Sequence, residues 1–245
     1  MRFRFAALGL AAGLSLIATP SVAAPECDKG TDGNDVINCT RFDDSHPGDP
    51  GNDIIQGGMG DDHLRGGTGR DEIYAGMGQD VLLGEGGRDR LDGGPGGDSL
   101  HGSEGNDRIE GNVGGDSLAG NDGDDVLDGG PGADHVGGDE GDDTLHGGPG
   151  SDALSGNAGD DRLLGETGDD QLGGGAGADV LKGGDGGDVI FAGRGEDTVF
   201  GGPGDDLIYA ADDRRDIIRC ADGRDWVQVD FEDVVRRCER VERVG

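Results

Sequence analysis

Aromatic side chains are scarce in this sequence, with one Trp, two Tyr and six Phe among 245 residues. Hydrophobic residues make up only 31 %, too little apolar surface to offset the ordering of a conventional globular core. Basic residues are few as well: 20 Lys and Arg stand against 53 Asp and Glu, for a formal net charge of -33. A surface of that sign has no electrostatic affinity for phosphate backbones or anionic lipid, which excludes nucleic acid as a partner, and it attracts cations. Beyond residue 24 no apolar run is long enough to span a membrane as a helix. Proline is limited to 8 residues, whereas glycine supplies 56, a level that fits either disorder or a repeat whose glycines are periodic.

The first two dozen residues stand apart. Arg2 and Arg4 precede an apolar run from Phe5 to Ile17, and Ser21-Val22-Ala23 and Val22-Ala23-Ala24 both offer small residues for cleavage. This layout predicts a signal peptide over residues 1–24. It implies a secreted, extracellular protein, with the cell wall as one setting, in which four cysteines are oxidised in pairs.

Periodicity decides between disorder and a repeat. From Gly48 to Tyr209 the chain divides into 18 consecutive blocks of nine without insertion or deletion. The fourth position is always Gly, from Gly51 to Gly204, and the sixth always Asp, from Asp53 to Asp206. The eighth is always aliphatic, from Ile55, Leu64 and Ile73 to Ile190, Val199 and Ile208, and the first is Gly except at Ala75 and Ala192. Drift in a low-complexity segment preserves composition but not register. The unit is therefore G-G-x-G-x-D-x-U-x, with U aliphatic.

Blocks such as Gly57-Gly58-Met59-Gly60-Asp61-Asp62-His63-Leu64-Arg65 and Gly201-Gly202-Pro203-Gly204-Asp205-Asp206-Leu207-Ile208-Tyr209 resemble the glycine-rich RTX, or haemolysin-type, calcium-binding nonapeptide repeat. The resemblance covers roughly two thirds of the chain. It implies an all-β fold, a parallel β-roll solenoid of 18-residue coils, each built from two nonapeptides, in which x-U-x is a short strand and G-G-x-G-x-D a turn that helps hold calcium. The residues agree with it. A strand alternates its faces, so U points inward and its neighbours outward. Those neighbours are mixed and largely polar, including His63, Glu72, Arg90, Gln56 and Lys182. At the second position, ten blocks carry Gly, three Asn (Asn112, Asn121, Asn157) and two Asp (Asp49, Asp139), leaving Glu85, Ser103 and Glu166. That choice predicts a left-handed backbone there. The invariant fourth Gly implies either a backbone region closed to a Cβ or close approach to something bound.

Residues 18 apart share an edge of such a roll. Asp53, Asp71, Asp89, Asp107, Asp125, Asp143, Asp161, Asp179 and Asp197 then form one column, and Asp62, Asp80, Asp98, Asp116, Asp134, Asp152, Asp170, Asp188 and Asp206 the other. Asp35 joins them from a further intact repeat, Gly30 to Asn38. Carboxylates stacked about 4.8 Å apart repel by roughly 3 kcal/mol per neighbouring pair at an effective dielectric of about 20. A hard divalent cation removes that repulsion, and turns with exposed carbonyls plus carboxylates suit the six to eight oxygen ligands of calcium. These Asp residues are the candidate metal ligands, with several Ca2+ ions per chain. Zinc is disfavoured, because His46, His63, His101, His135 and His146 are scattered. Blocks carrying Ala75, Glu85, Ser103, Glu166 or Ala192 depart from the consensus, which sets their sites apart.

Three further segments complete the organisation: an N-terminal cap over residues 25–47, with one intact and one degenerate repeat; the roll over 48–209; and a C-terminal cap over 210–245. One residue is inserted between Asp206 and Asp216, after which Asp225 restores the spacing. Cys220 and Cys238 are 18 residues apart, one coil, so stacking brings them within bridging distance; Cys27 pairs with Cys39. Phe191, Phe200 and Tyr209 fall on outward positions of successive blocks, where packing under a tail containing Trp226, Phe231, Val234 and Val235 is the expectation and a binding patch the alternative.

An enzyme is not expected. Gly97-Asp98-Ser99-Leu100, Gly115-Asp116-Ser117-Leu118 and Asp143-Thr144-Leu145-His146 spell serine-esterase signatures, but each falls out of the repeat, and those esterases need an α/β domain. The expected function is a secreted calcium-binding structural or interaction module, monomeric, that folds on extracellular calcium. The alternatives are a calcium-dependent adhesin or carbohydrate-binding surface protein and, behind them, a hydrolase or toxin accessory. A cell-wall, matrix or glycan partner fits the first two.

Overall fold

One aliphatic residue in every nine can be buried only by stacking equivalent blocks, and that is what the chain does. The computed structural model describes residues 27–40 and 44–244; the expected signal peptide lies outside them. Among the described residues there is no helix. Twenty-four strands among the described residues form two parallel 12-stranded sheets. The first runs from Val36–Asn38 to Val234–Arg236 and the second from Asp49–Pro50 to Arg240–Arg243, with successive strands alternating between them. The register steps by 18: Ile55 lies beside Ile73, and Leu64 beside Leu82. This is the expected β-roll.

Between the sheets the aliphatic eighth positions form two facing ladders, each side chain at most 3 % exposed from Ile37 to Val227. A fully buried Leu or Ile contributes roughly 1.5–3 kcal/mol. The strands are longer than the three residues expected. Most span six, as in Ser117–Asp122, running on through the Gly-Gly-x of the next block. The first position therefore also points inward, which buries Ala75 and Ala192 completely.

Seventeen of the eighteen second positions have positive φ, including Glu85 (73°), Ser103 (82°) and Glu166 (78°). The exception is Asp49, where the preceding Gly48 takes the left-handed conformation instead (φ 78°). The fourth position resolves into both a special conformation and a close approach, and what approaches is protein. At Gly105 φ is 134°, and an added Cβ would overlap the carbonyl oxygen of Gly87, one coil back. The same collision with the preceding coil recurs from Gly69 to Gly204, so a side chain at any of these positions would wedge the stack apart.

Disulfides sit at both ends, Cys27–Cys39 and Cys220–Cys238. The second closes with a Cα separation of 5.1 Å, although the local coil has shrunk to 17 residues, Ile218 pairing with Val235. A left-handed Arg237 (φ 61°) takes up the difference and returns Cys238 to Cys220. The tail does not drape over the aromatic residues as expected. It adds rungs: Val227 and Val235 extend the two ladders, while Phe231 stays 74 % exposed. The aromatics are divided between the sheets. Phe191 stacks on Tyr209 at 4.9 Å and Trp226 meets Tyr209 edge-on at 5.3 Å on the second, whereas Phe200 lies on the first, between Lys182 and Arg219.

Candidate calcium sites along two aspartate columns

Each sixth-position Asp is placed by the turn that joins two strands, and its carboxylate points along the solenoid axis. Its Oδ1 accepts the backbone N–H of the equivalent Asp one coil earlier. Asp53 N–H donates to Asp71 Oδ1 at 2.8 Å and Asp116 N–H to Asp134 Oδ1 at 2.7 Å. The pattern continues to Asp197 N–H with Asp216 Oδ1 and Asp206 N–H with Asp225 Oδ1. The inserted residue shifts the ladder without breaking it. All 18 predicted Asp residues of the uninterrupted array, from Asp53 to Asp206, are at most 3 % exposed, and the structure brings them into the two expected columns.

The other oxygen is the informative one. From Asp71 to Asp225 every Oδ2 is buried with no hydrogen-bond partner. A buried carboxylate oxygen without a donor or counter-charge is strongly disfavoured. The Oδ2 atoms face the space left by the first-position glycines. A Cβ on Gly111 would lie 2.7 Å from Asp116 Oδ2 and 2.7 Å from the carbonyl oxygen of Gly129 in the next coil. At Gly84 the corresponding distances are 2.6 Å to Asp89 Oδ2 and 2.7 Å to the Gly102 oxygen. A carboxylate oxygen and a backbone carbonyl thus converge on the same glycine-sized space in coil after coil. Ala75 and Ala192 put a methyl there in the blocks of Asp80 and Asp197.

Electrostatics point the same way. Burial, opposed by the cross-coil N–H and aided by neighbouring carboxylates, pushes Asp125, Asp179 and Asp188 up to about 7. Burial raises Asp71, Asp89, Asp98, Asp107, Asp134, Asp143, Asp170, Asp197 and Asp206 to about 6. Asp80, Asp116, Asp152 and Asp161 shift in the same direction for the same first cause. Columns that hold protons toward neutral pH are columns short of positive charge.

Asp35, predicted as a ligand, sits differently. It is half-buried, and its Oδ2 accepts both the backbone N–H and the hydroxyl of Thr31, at 2.7 and 2.8 Å. Thr40 does the same for Asp44 Oδ2, at 2.7 Å for both bonds. At the other end Asp233 accepts Asp216 N–H on Oδ1 and Asp230 N–H on Oδ2. Sequence reading missed these terminators, although Thr four residues before the Asp is repeated in the two N-terminal blocks. It also missed an outer ladder at the fifth position. Asp142, Asp160 and Ala178 N–H donate to Asp124, Asp142 and Asp160 Oδ1 in turn, opposite in direction to the inner ladder; the abundance of Asn and Asp at that position was the available signal.

Among the described residues no three His, Cys, Asp or Glu side chains converge as a metal cluster. The donor set on offer is one buried carboxylate oxygen per coil plus backbone carbonyls, which is oxygen chemistry of the kind calcium accepts. Comparison with protein families matches the RTX calcium-binding nonapeptide repeat in overlapping stretches at residues 47–82, 83–118, 110–145, 137–172, 146–181, 173–208 and 182–217. The chain belongs to this family. No individual curated protein matches it significantly. The RTX repeats bind calcium, and they account for both aspartate columns between Asp53 and Asp216. The esterase-like motifs of this RTX chain are not assembled: Ser99 and Ser117 lie on the second sheet and His146 on the first. Ser99 Oγ is 3.3 Å from His101 Nε2 on its own strand.

Proposed function

We propose that this protein is a secreted structural or interaction module whose β-roll folds when it binds extracellular calcium. The observation that carries the reading is the uninterrupted row of buried, unpartnered Asp Oδ2 atoms on each edge, from Asp71 to Asp225. The residues that would hold the ions are the sixth-position Asp residues from Asp53 to Asp206, with turn carbonyls such as those of Gly102 and Gly129. Asp35, whose Oδ2 is already engaged by Thr31, serves as the end of its column. Bound calcium would supply the positive charge that the columns lack. The chain's own part is to fix each carboxylate with a cross-coil N–H and to leave a glycine-sized space beside it.

Without cations, column repulsion and one aliphatic side chain per nine residues favour the disordered polyanion; with them, metal-binding free energy becomes folding free energy. Two columns of nine Asp leave eight intervals each, so at most sixteen ions offset most of the formal charge of -33. Two disulfides and a signal-peptide-like N-terminus support an oxidising, extracellular setting. No helix among the described residues is long and apolar enough to cross a membrane. A calcium titration followed by circular dichroism and Trp226 fluorescence tests the proposal. A β spectrum that appears on adding calcium supports it; a full β spectrum in chelator, unchanged by calcium, overturns it.

A further inference from the structure

Eight of the 20 Lys and Arg residues fall in the last 36 residues, among ten Asp and Glu, so basic side chains are concentrated at one end of an acidic roll. Part of it is ordered into a ladder on the outer face of the first sheet. Lys182 pairs in register with Phe200, Phe200 with Arg219, and Arg219 with Arg236. The Phe200 ring holds the first two cations, with Lys182 Nζ 5.7 Å and Arg219 Cζ 5.4 Å from its centroid. Arg236 and Arg237 border the same surface, and the Cys220–Cys238 bridge fixes the backbone next to Arg219 and Arg237. Phe200, Arg219, Cys220, Arg236 and Arg237 line a recess of about 500 Å³. Elsewhere on the roll Arg65, Arg90 and Arg108 are neutralised by Glu85 and Glu110 from adjacent strands or their own. Among the described residues none of Lys182, Arg219, Arg236 and Arg237 lies within ion-pair distance of a carboxylate.

We infer that this face is an oxyanion-binding site for the carboxylate or sulfate groups of an acidic polysaccharide, with Lys182, Arg219, Arg236 and Arg237 as its cations. Guanidinium groups present paired N–H donors that match planar oxyanions. The ladder spans three strand spacings, roughly 14 Å, enough for a few charged units and no more. A dense polyanion such as duplex nucleic acid, with a charge every ~1.7 Å, would meet the acidic roll on both sides. A sugar chain with one charge per unit can place a few of them on the ladder. The inference deepens the interaction-module reading and requires only that the roll be folded, which circular dichroism reports separately.

The experiment is calorimetric titration of the full chain, saturated with calcium, with three oligosaccharides of equal length: one sulfated, one made of uronates, one uncharged. The expected result is binding of one or both charged chains and not of the uncharged one, weakening with added NaCl. The sulfated and uronate arms distinguish the two sources of the oxyanion. Replacing Arg219→Gln and Arg236→Gln together is expected to weaken binding about tenfold or more, the loss of two charge-assisted contacts. Arg70→Gln, on a distant turn, leaves binding unchanged. Should the double variant lose its β spectrum, Lys182→Gln replaces it. Equal binding of the uncharged chain, no binding of either charged chain, or undiminished binding by a folded variant overturns the inference. So does sedimentation showing wild-type oligomers that the double variant abolishes, which would assign the face to a second copy.

Discussion

The ends and the middle of this roll solve the same problem differently. In the middle, each Asp uses one oxygen to receive a cross-coil N–H and leaves the other buried without a partner. At the ends, Thr31, Thr40 and the Asp230 N–H supply the second bond, and a disulfide ties each terminal coil. Three of the four column ends are therefore closed by protein donors, and the fourth, Glu239, which accepts Asp225 N–H, is exposed to water; the buried middle requires something added. The contrast shows that the solenoid can terminate an aspartate column when it needs to, so the open column between the terminators is a property of the fold and not an accident of the repeat.

The largest effect that can break this comparison is partial removal of calcium at neutral pH. Amide hydrogen exchange is expected to rise first in the coils between Asp71 and Asp197 and later beside the two disulfides. Uniform loss of protection along the chain would erase the distinction. Acid should act in the opposite sense to chelation. Because burial raises the column carboxyls to about 6 or 7 in the folded, metal-free roll, the folded state binds more protons than the unfolded chain between about pH 4 and 7. That stabilising contribution is complete below the unfolded value and disappears as pH rises through the folded one. In chelator the residual β signal in circular dichroism is expected to be larger at pH 4.5 than at pH 7.5, roughly the two sides of that window; the reverse order would contradict the column electrostatics.

Smaller effects sharpen the contrast residue by residue. Replacing Cys220 and Cys238 by Ser should lower stability by about 3 kcal/mol in the presence of calcium, measured by denaturant titration, since the bridge closes a loop of one coil. Asp125→Asn keeps the acceptor for Asp107 N–H and removes a charge, and its amide can donate to the Gly138 carbonyl that faces the same space. It should weaken calcium binding while increasing the residual β signal in chelator, since one fewer charge is buried in the column. Asp44→Asn should do neither, because its Oδ2 belongs to Thr40. Thr31→Ala is expected to cost about 1 kcal/mol or less, measured by denaturant titration in saturating calcium.

Much of this arrangement is legible in the sequence because the repeat has no insertions. Register, the two aliphatic ladders and both aspartate columns follow once blocks 18 apart are stacked, and the same spacing suggests the Cys220–Cys238 pair, which leaves Cys27 for Cys39. The second position reads correctly because Gly, Asn and Asp share a tolerance of positive φ, and Glu85, Ser103 and Glu166 follow the majority since the turn leaves them no other conformation. Other features were out of reach. That the strand continues into Gly-Gly-x depends on hydrogen bonds to neighbouring coils, not on propensity. The place of the tail depends on whether Val227 and Val235 find a ladder to extend. Grouping Phe191, Phe200 and Tyr209 together overlooked that alternate blocks face opposite sheets, so that Phe200 meets cations while the other two meet each other.

Sequence determined that this chain repeats every nine residues with one aliphatic and one acidic position, because the blocks run without insertion from Gly48 to Tyr209. The resemblance to the RTX repeat implied that two blocks make one coil, and so which carboxylates share an edge. Tertiary structure decided what each carboxylate oxygen does. The N–H that fixes Oδ1 comes from a residue a full coil away, the space beside Oδ2 is framed by the carbonyl of the next coil, and the fourth glycine is required by the backbone of the previous one. Those relations exist only between coils, so no block taken by itself contains them.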